Sequence, residues 1–293
     1  MNTLECKAVV KKFGKTEVLH SVDLTLEKGK IYGLIGRNGA GKTTLLSIAA
    51  GQSKATDGEI IVNDLPVWDN QEALDKICFS RELNPTSASG IGSFKVKDYF
   101  KTAQFYMPNY DKELETELVK KFNLDVKKKI SKLSKGMMSM VTIIVALASK
   151  AEYTFLDEPV AGLDVVARET FYKILLDEFA ESGRTFVVST HIIEEAQDIF
   201  EEVIFLDNGA VLLKEETQQL LERVVHVSGM AEEVDAATEG LKTLRPEKLG
   251  RSKGVTVMLN PGEEFDAKGH DLAVQGMNLQ QIFLAMCGTE VTE

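Results

Sequence analysis

GRNGAGKT, residues 36–43, fits the pattern Gly-x-x-x-x-Gly-Lys-Thr. Its reading decides what the rest of the chain must be. The apolar run KIYGLIG (30–36) precedes it and TTLLSIAAG (43–51) follows, so a buried strand is predicted before the loop and a helix after it. In that setting Gly36, Gly39 and Gly41 let the backbone curl, and the N–H groups of Arg37, Asn38, Ala40 and Thr44 can turn toward phosphate oxygens. The helix start adds its positive end. Lys42 supplies a charge for the β- and γ-phosphates, and Thr43 a hydroxyl for Mg²⁺. A Gly-rich turn is the plain alternative, but Lys42, Thr43 and the flanking strand and helix argue against it. Alone, the loop implies a nucleoside triphosphate site and nothing finer.

Two more apolar runs end in polar chemistry. EYTFLD (152–157) leads into LDEPVAGLD (156–164), which places Asp157 at the carboxyl edge of a strand, where open α/β sheets bind ligands. Asp157 is then expected to hold Mg²⁺, and Glu158 to accept a proton from an attacking water. A carboxylate bound to metal is a poor base, so a second one is needed. RTFVVST (184–190) is followed by His191, expected to contact the γ-phosphate, with capping of the helix expected over IIEEAQDIF (192–200) as the structural alternative. A hydrogen bond to that phosphate exists in ATP and not in ADP, the requirement for a state sensor.

Outward from these runs, residues 1–30 read as antiparallel strands (TLECKAVVK, VDLTLEKGK) with a further strand at Glu59–Val62. KIYGLIG, EYTFLD and RTFVVST, separated by long helical stretches, read as parallel strands covered on both faces. Residues 93–133 are charged and helix-forming. LSKGMMSM (133–140) opens an apolar helix running to Ala148, with Ser134 as its cap. After about Lys214 come a helix (TQQLLERV), short strands (VVHVSG, GVTVMLN, DLAVQGM) and a closing helix (NLQQIFLAMCG) with Asn278 as N-cap, which suggests a small α/β appendage.

Composition bounds the function classes. The 293 residues carry a net charge of -11, which argues against nucleic acid as a partner. Three scattered cysteines suit a reducing compartment and build neither a disulfide framework nor a zinc site. The four histidines are equally dispersed. MNTLECKAVVKKF has no apolar core of a signal peptide, and Met137–Ala148 falls short of the roughly 20 residues needed to span a bilayer. A cytoplasmic protein that meets a membrane through a partner is expected.

In order, Phe13, the loop 36–43, LSKGM (133–137), FLDEP (155–159), AGLD (161–164) and STH (189–191) resemble the ATP-binding cassette (ABC) family. The resemblance covers roughly residues 1–215. It implies an α/β P-loop NTPase fold: a RecA-like core, an antiparallel β subdomain and an α-helical subdomain at about 90–150. Residues 216–293 remain as a C-terminal α/β accessory domain. It also implies that Phe13 stacks on adenine, and that two cassettes close head to tail over two ATPs. Ser134 and Gly136 then meet the γ-phosphate held by the other subunit, and Asp164 communicates across the interface. Two positions depart from the pattern. Glu82, in ICFSREL (77–83), stands where the family has a glutamine; as a carboxylate it is a candidate Mg²⁺ ligand, but it adds negative charge beside Asp157 and Glu158, and the signature turn has Lys135 and Met137 for its first glycine and its glutamine.

Residues 93–111 and LQQIF (279–283) are similar to ATPase subunits of ABC-2-type bacterial exporters, especially the Gram-positive antibiotic-resistance and acetoin-utilisation group. The expectation is an ATPase driving an exporter through a separate integral membrane permease. It would work as a homodimer with ATP and Mg²⁺, peripheral on the inner face of the cell membrane, with residues about 93–110 gripping the permease. The alternatives are a soluble ABC ATPase with a regulatory or assembly role, and a nucleotide-dependent binding module that scarcely hydrolyses ATP.

Overall fold

Near the N-terminus one side of each strand is apolar and the other polar, which suits an antiparallel sheet with one wet face. In β1 (Thr3–Phe13) Leu4, Cys6 and Val9 are buried; in β2 (Thr16–Glu27) Leu19, Val22, Leu24 and Leu26 are. The two pair antiparallel from Thr3 opposite Glu27 to Phe13 opposite Thr16. β3 (Ile31–Ile35) behaves differently, because all five of its residues are buried. After it come α1 (Lys42–Ala49), β4 (Asp57–Val62) and β5 (Leu65–Pro66), and the first sheet has the order β2-β1-β4-β5. The structure is a computed structural model describing residues 2–86 and 90–287.

The chain continues through α2 (Gln71–Leu74), β6 (Ile77–Ser80), α3 (Val96–Tyr106), α4 (Lys112–Lys121) and α5 (Lys135–Ala148). α5 is buried at every position from Val141 to Ala148, as a helix apolar all round must be. It packs on α4, β6 and β7 (Tyr153–Asp157). α6 (Val165–Ser182) leads to β8 (Thr185–Thr190), and α7 (Ile193–Ala196) to β9 (Glu202–Asp207) and β10 (Ala210–Glu216). These strands form a second sheet in the order β10-β9-β3-β8-β7-β6. β3, β8, β7 and β6 run parallel, with Leu34 and Asp157 both opposite Ser189. Parallel strands share one carboxyl edge, so the residues after β3, β7 and β8 are delivered to one place. Between the sheets, Leu45, Leu46 and Ile48 of α1 pack with Tyr32, Tyr153, Phe155 and Val187. Burial of each such aliphatic side chain contributes about 1.5–3 kcal/mol.

Charge is also buried in the scaffold. Arg184 and Glu178 are each 4% exposed and meet at 3.0 Å, and Lys150 bridges Glu178 at 2.9 Å to Asp111 at 3.7 Å. Arg184 also donates to the Leu147 carbonyl at 2.7 Å and lies over the Phe186 ring. Burial lowers the pKa of its guanidinium, against the raising effect of Glu178. Two of its nitrogens, Nε and Nη1, have no partner among the described residues.

Chain contacts divide the molecule into Met1–His191 with Ile204–Leu213, and Ile192–Val203 with Lys214–Glu293. The second unit holds α8 (Thr217–Arg223), β11 (Val224–Met230), α9 (Ala231–Ala237), β12 (Lys242–Leu249), β13 (Ser252–Met258), β14 (Ala273–Gly276) and α10 (Leu279–Met286). Its sheet, β12-β13-β11-β14, is antiparallel at each pairing. Val227, Val234, Val255, Val257 and Leu259 form its core. Asn278 caps α10 in a full capping box with Gln281. α9 and β12 were not expected from the sequence, because β12 is exposed at all but one of its eight positions and shows no alternation. The helix expected over 192–200 is one turn, α7, followed by a 3-10 turn at Gln197–Ile199, and its first residue has no side-chain cap. No helix among the described residues is long and apolar enough to cross a membrane.

Candidate functional site

The loop from β3 to α1 closes as the glycines allow. Gly39 and Gly41 take left-handed backbone. Gly36 passes so close to β9 that a Cβ there would lie 2.4 Å from the Leu206 carbonyl. Lys42 is 6% exposed and folds back over the loop, donating to the Gly36 carbonyl at 2.7 Å and standing 3.7 Å from Glu158 Oε1. The loop therefore curls around one ammonium group, a cradle shaped for an anion of phosphate size.

The Thr43 hydroxyl donates to Asp157 Oδ2 at 2.7 Å. Two hard oxygen groups thus meet between the loop and the end of β7, a donor set that suits Mg²⁺. No cluster of three or more metal-ligating side chains occurs among the described residues.

Glu158 has φ +49, a backbone conformation that costs a non-glycine residue about 1–2 kcal/mol. Its N–H donates to both the Ser189 carbonyl (3.1 Å) and the Ser189 hydroxyl (3.0 Å). The same hydroxyl donates to Asp157 Oδ1 at 2.5 Å. Ser189 therefore orients both carboxylate residues, a positioning role that the run STH did not disclose. The His191 ring meets Glu158 Oε2 through Nδ1 at 2.7 Å, so its side chain turns to the carboxylate rather than to the helix start.

Glu82, Thr43, Asp157 and Glu158 line one cavity of about 760 Å³, together with Ser80 and Tyr99. Burial pushes the Tyr99 phenol up to about 12, which keeps it neutral and adds no charge to the cavity wall. Glu82 itself contacts Lys135, at 3.4 Å.

Four predicted residues stand apart from this cluster. Phe13 ends β1 with its ring 56% exposed and the Lys11 ammonium 5.0 Å from the ring centre. Ser134 caps α5 by accepting from the Met137 N–H at 3.2 Å. Gly136 packs against the turn after Glu158: a Cβ there would lie 2.5 Å from the Gly162 carbonyl. Ser139 reinforces that contact by donating to the Ala161 carbonyl at 2.8 Å. Asp164 caps α6, accepting from Ala167 N–H at 2.9 Å.

The family model described as ABC transporter matches residues 19–161. The ABC transporter ATP-binding protein YtrB of Bacillus subtilis is 26% identical over 76% of this chain and 75% of its own length. The glutamine transport ATP-binding protein GlnQ of Escherichia coli is 32% identical over 77% of this chain and its entire length. Among solved structures, a dimeric ATP-binding cassette in a post-hydrolysis state with ADP and Pi is similar with TM-score 0.62 and 26% identity, covering 73% of this chain and 98% of that one.

Proposed function

The chain belongs to the ABC transporter family of ATP-binding subunits, which hydrolyse ATP, and we propose that it drives a membrane exporter through a separate permease. The observation that carries the chemistry is the single cluster of Lys42, Thr43, Asp157, Glu158, Ser189 and His191 at one sheet edge. The loop 36–44 binds the triphosphate, with Lys42 moving from the Gly36 carbonyl to the β- and γ-phosphates. Thr43 and Asp157 would hold Mg²⁺, which supplies charge neutralisation to the phosphates, and Glu82 lines the same cavity. Glu158 accepts the proton of the attacking water, and its left-handed backbone and two bonds to Ser189 fix where that carboxylate points. His191 holds Glu158 in the nucleotide-free chain and passes to the γ-phosphate when ATP is present.

Phe13, exposed on β1, would stack on adenine once nucleotide enters. Ser134 and Gly136 would meet the γ-phosphate of a second copy, so the working form is a homodimer on the inner face of the membrane. Export is supported by the likeness of residues 93–111 and 279–283 to ABC-2-type ATPases; GlnQ, a glutamine transport protein by name, marks the breadth of the family.

Glu158→Gln tests the assignment of the base. Turnover is expected to fall by roughly 10²-fold or more while binding of ATP is retained. Unchanged turnover would overturn it. Direction is tested in inverted membrane vesicles carrying the permease that co-purifies with the chain: ATP-dependent accumulation inside means export, and loss of preloaded solute means import.

A further inference from the structure

The two positions where charge departs from the family pattern, Glu82 and Lys135, face each other in the fold. Lys135 Nζ lies 3.4 Å from Glu82 Oε1, although one residue follows β6 and the other begins α5. The route of the lysine is set by close packing. Gly162, at φ +81, lies under its stem, and a Cβ at Gly162 would come within 2.7 Å of Lys135 Cγ. One lysine side chain thus joins the loop after β6, through its ammonium, to the start of α5 and, through its stem, the turn at Gly162.

The charge balance of the cavity gives this contact a purpose. Glu82, Asp157 and Glu158 all line it, and the nearby Lys42 stands against Glu158. A triphosphate adds several negative charges, so a third unneutralised carboxylate repels it. We propose that Lys135 is a positioning residue for the nucleotide site: it neutralises Glu82 and holds that carboxylate at the rim of the cavity, where it does not oppose the triphosphate. This rests on the nucleotide-binding reading of the site. Side-chain exposures of 52% and 59% keep the pair within reach of water and salt, so its influence is modest and ionic-strength dependent.

The test uses the full chain in a Glu158→Gln background, so that binding is read without turnover. Binding of a fluorescent ATP analogue with Mg²⁺ at low salt is measured for Lys135→Met, Glu82→Gln, the double variant and the charge exchange Glu82→Lys with Lys135→Glu. Lys135→Met alone is expected to weaken binding by about 3- to 5-fold, within the range of an exposed ion pair, with the deficit shrinking as salt rises. The double variant and the exchange are each expected to return within about twofold of the parent. Unchanged binding in Lys135→Met, or a double variant weakened by the product of the single effects, overturns the proposal.

The pairing is read separately in nucleotide-free protein by NMR of ¹³C-methylated lysines. The Lys135 signal, identified by its loss in Lys135→Arg, is expected to move in Glu82→Gln more than any other lysine signal. An unmoved signal rejects the ion pair. A parent chain that binds no analogue rejects the nucleotide reading instead, and leaves the NMR result to decide the pair.

Discussion

The two units of this molecule bury apolar surface by the same physics but treat their polar ends differently. In the first, β3, β7 and β8 run parallel, so Gly36 and His191, which follow β3 and β8, and Asp157, which ends β7, lie at the same edge. In the second, β11 pairs antiparallel with both β13 and β14, so successive strand ends alternate between opposite edges. The first can therefore gather polar residues far apart in sequence into one cluster, whereas what the second gathers is a core of four valines and a leucine. Topology, more than composition, determines where chemistry collects.

That contrast can be broken by substitutions that separate scaffold from site. The largest effect is expected from Glu178→Ala, which strands the buried Arg184 charge and should destabilise the first unit by about 3–5 kcal/mol in chemical denaturation. If ATP affinity under native conditions collapses while stability does not, the buried pair belongs to the site and the division fails. Next comes Leu259→Ala in the second core, where the side chain is 4% exposed; about 2 kcal/mol or more of that unit's stability should be lost. Nucleotide binding is expected to stay unchanged, and a matching fall in ATP affinity would merge what the contrast separates.

Ser189→Ala acts on the candidate site itself. It removes the hydroxyl that serves both Asp157 and Glu158, so turnover is expected to drop about tenfold. The apparent Mg²⁺ requirement should rise with it. Loss of thermal stability without either change would make Ser189 a packing residue only.

Much of this was legible in the chain because the candidate site residues end or directly follow apolar runs. GRNGAGKT, LDEP and STH each announce a strand end, and the fold delivers them together. What stayed hidden depends on distances across the fold. Nothing in the sequence joins Glu82 to Lys135, or Asp111 through Lys150 and Glu178 to Arg184, because each contact requires tertiary packing of separate elements. Ser189 reads as an ordinary member of a buried strand until its hydroxyl is seen donating to the Asp157 carboxylate and accepting from the Glu158 N–H. β12 escaped because its residues, LysThrLeuArgProGluLysLeu, are held by pairing to β13 rather than by burying a face. The brevity of α7 follows from the same logic, since its acidic turn lacks a capping side chain and gives way at once to a tighter turn.

The left-handed backbone at Glu158 has a consequence for evolution and engineering. Glycine or asparagine adopts φ +49 with less strain than glutamate, so either would recover part of the roughly 1–2 kcal/mol held at that peptide. The same exchange deletes the carboxylate assigned to water activation. A library sorted for heat resistance alone would therefore enrich folded, nucleotide-loaded chains that no longer turn over.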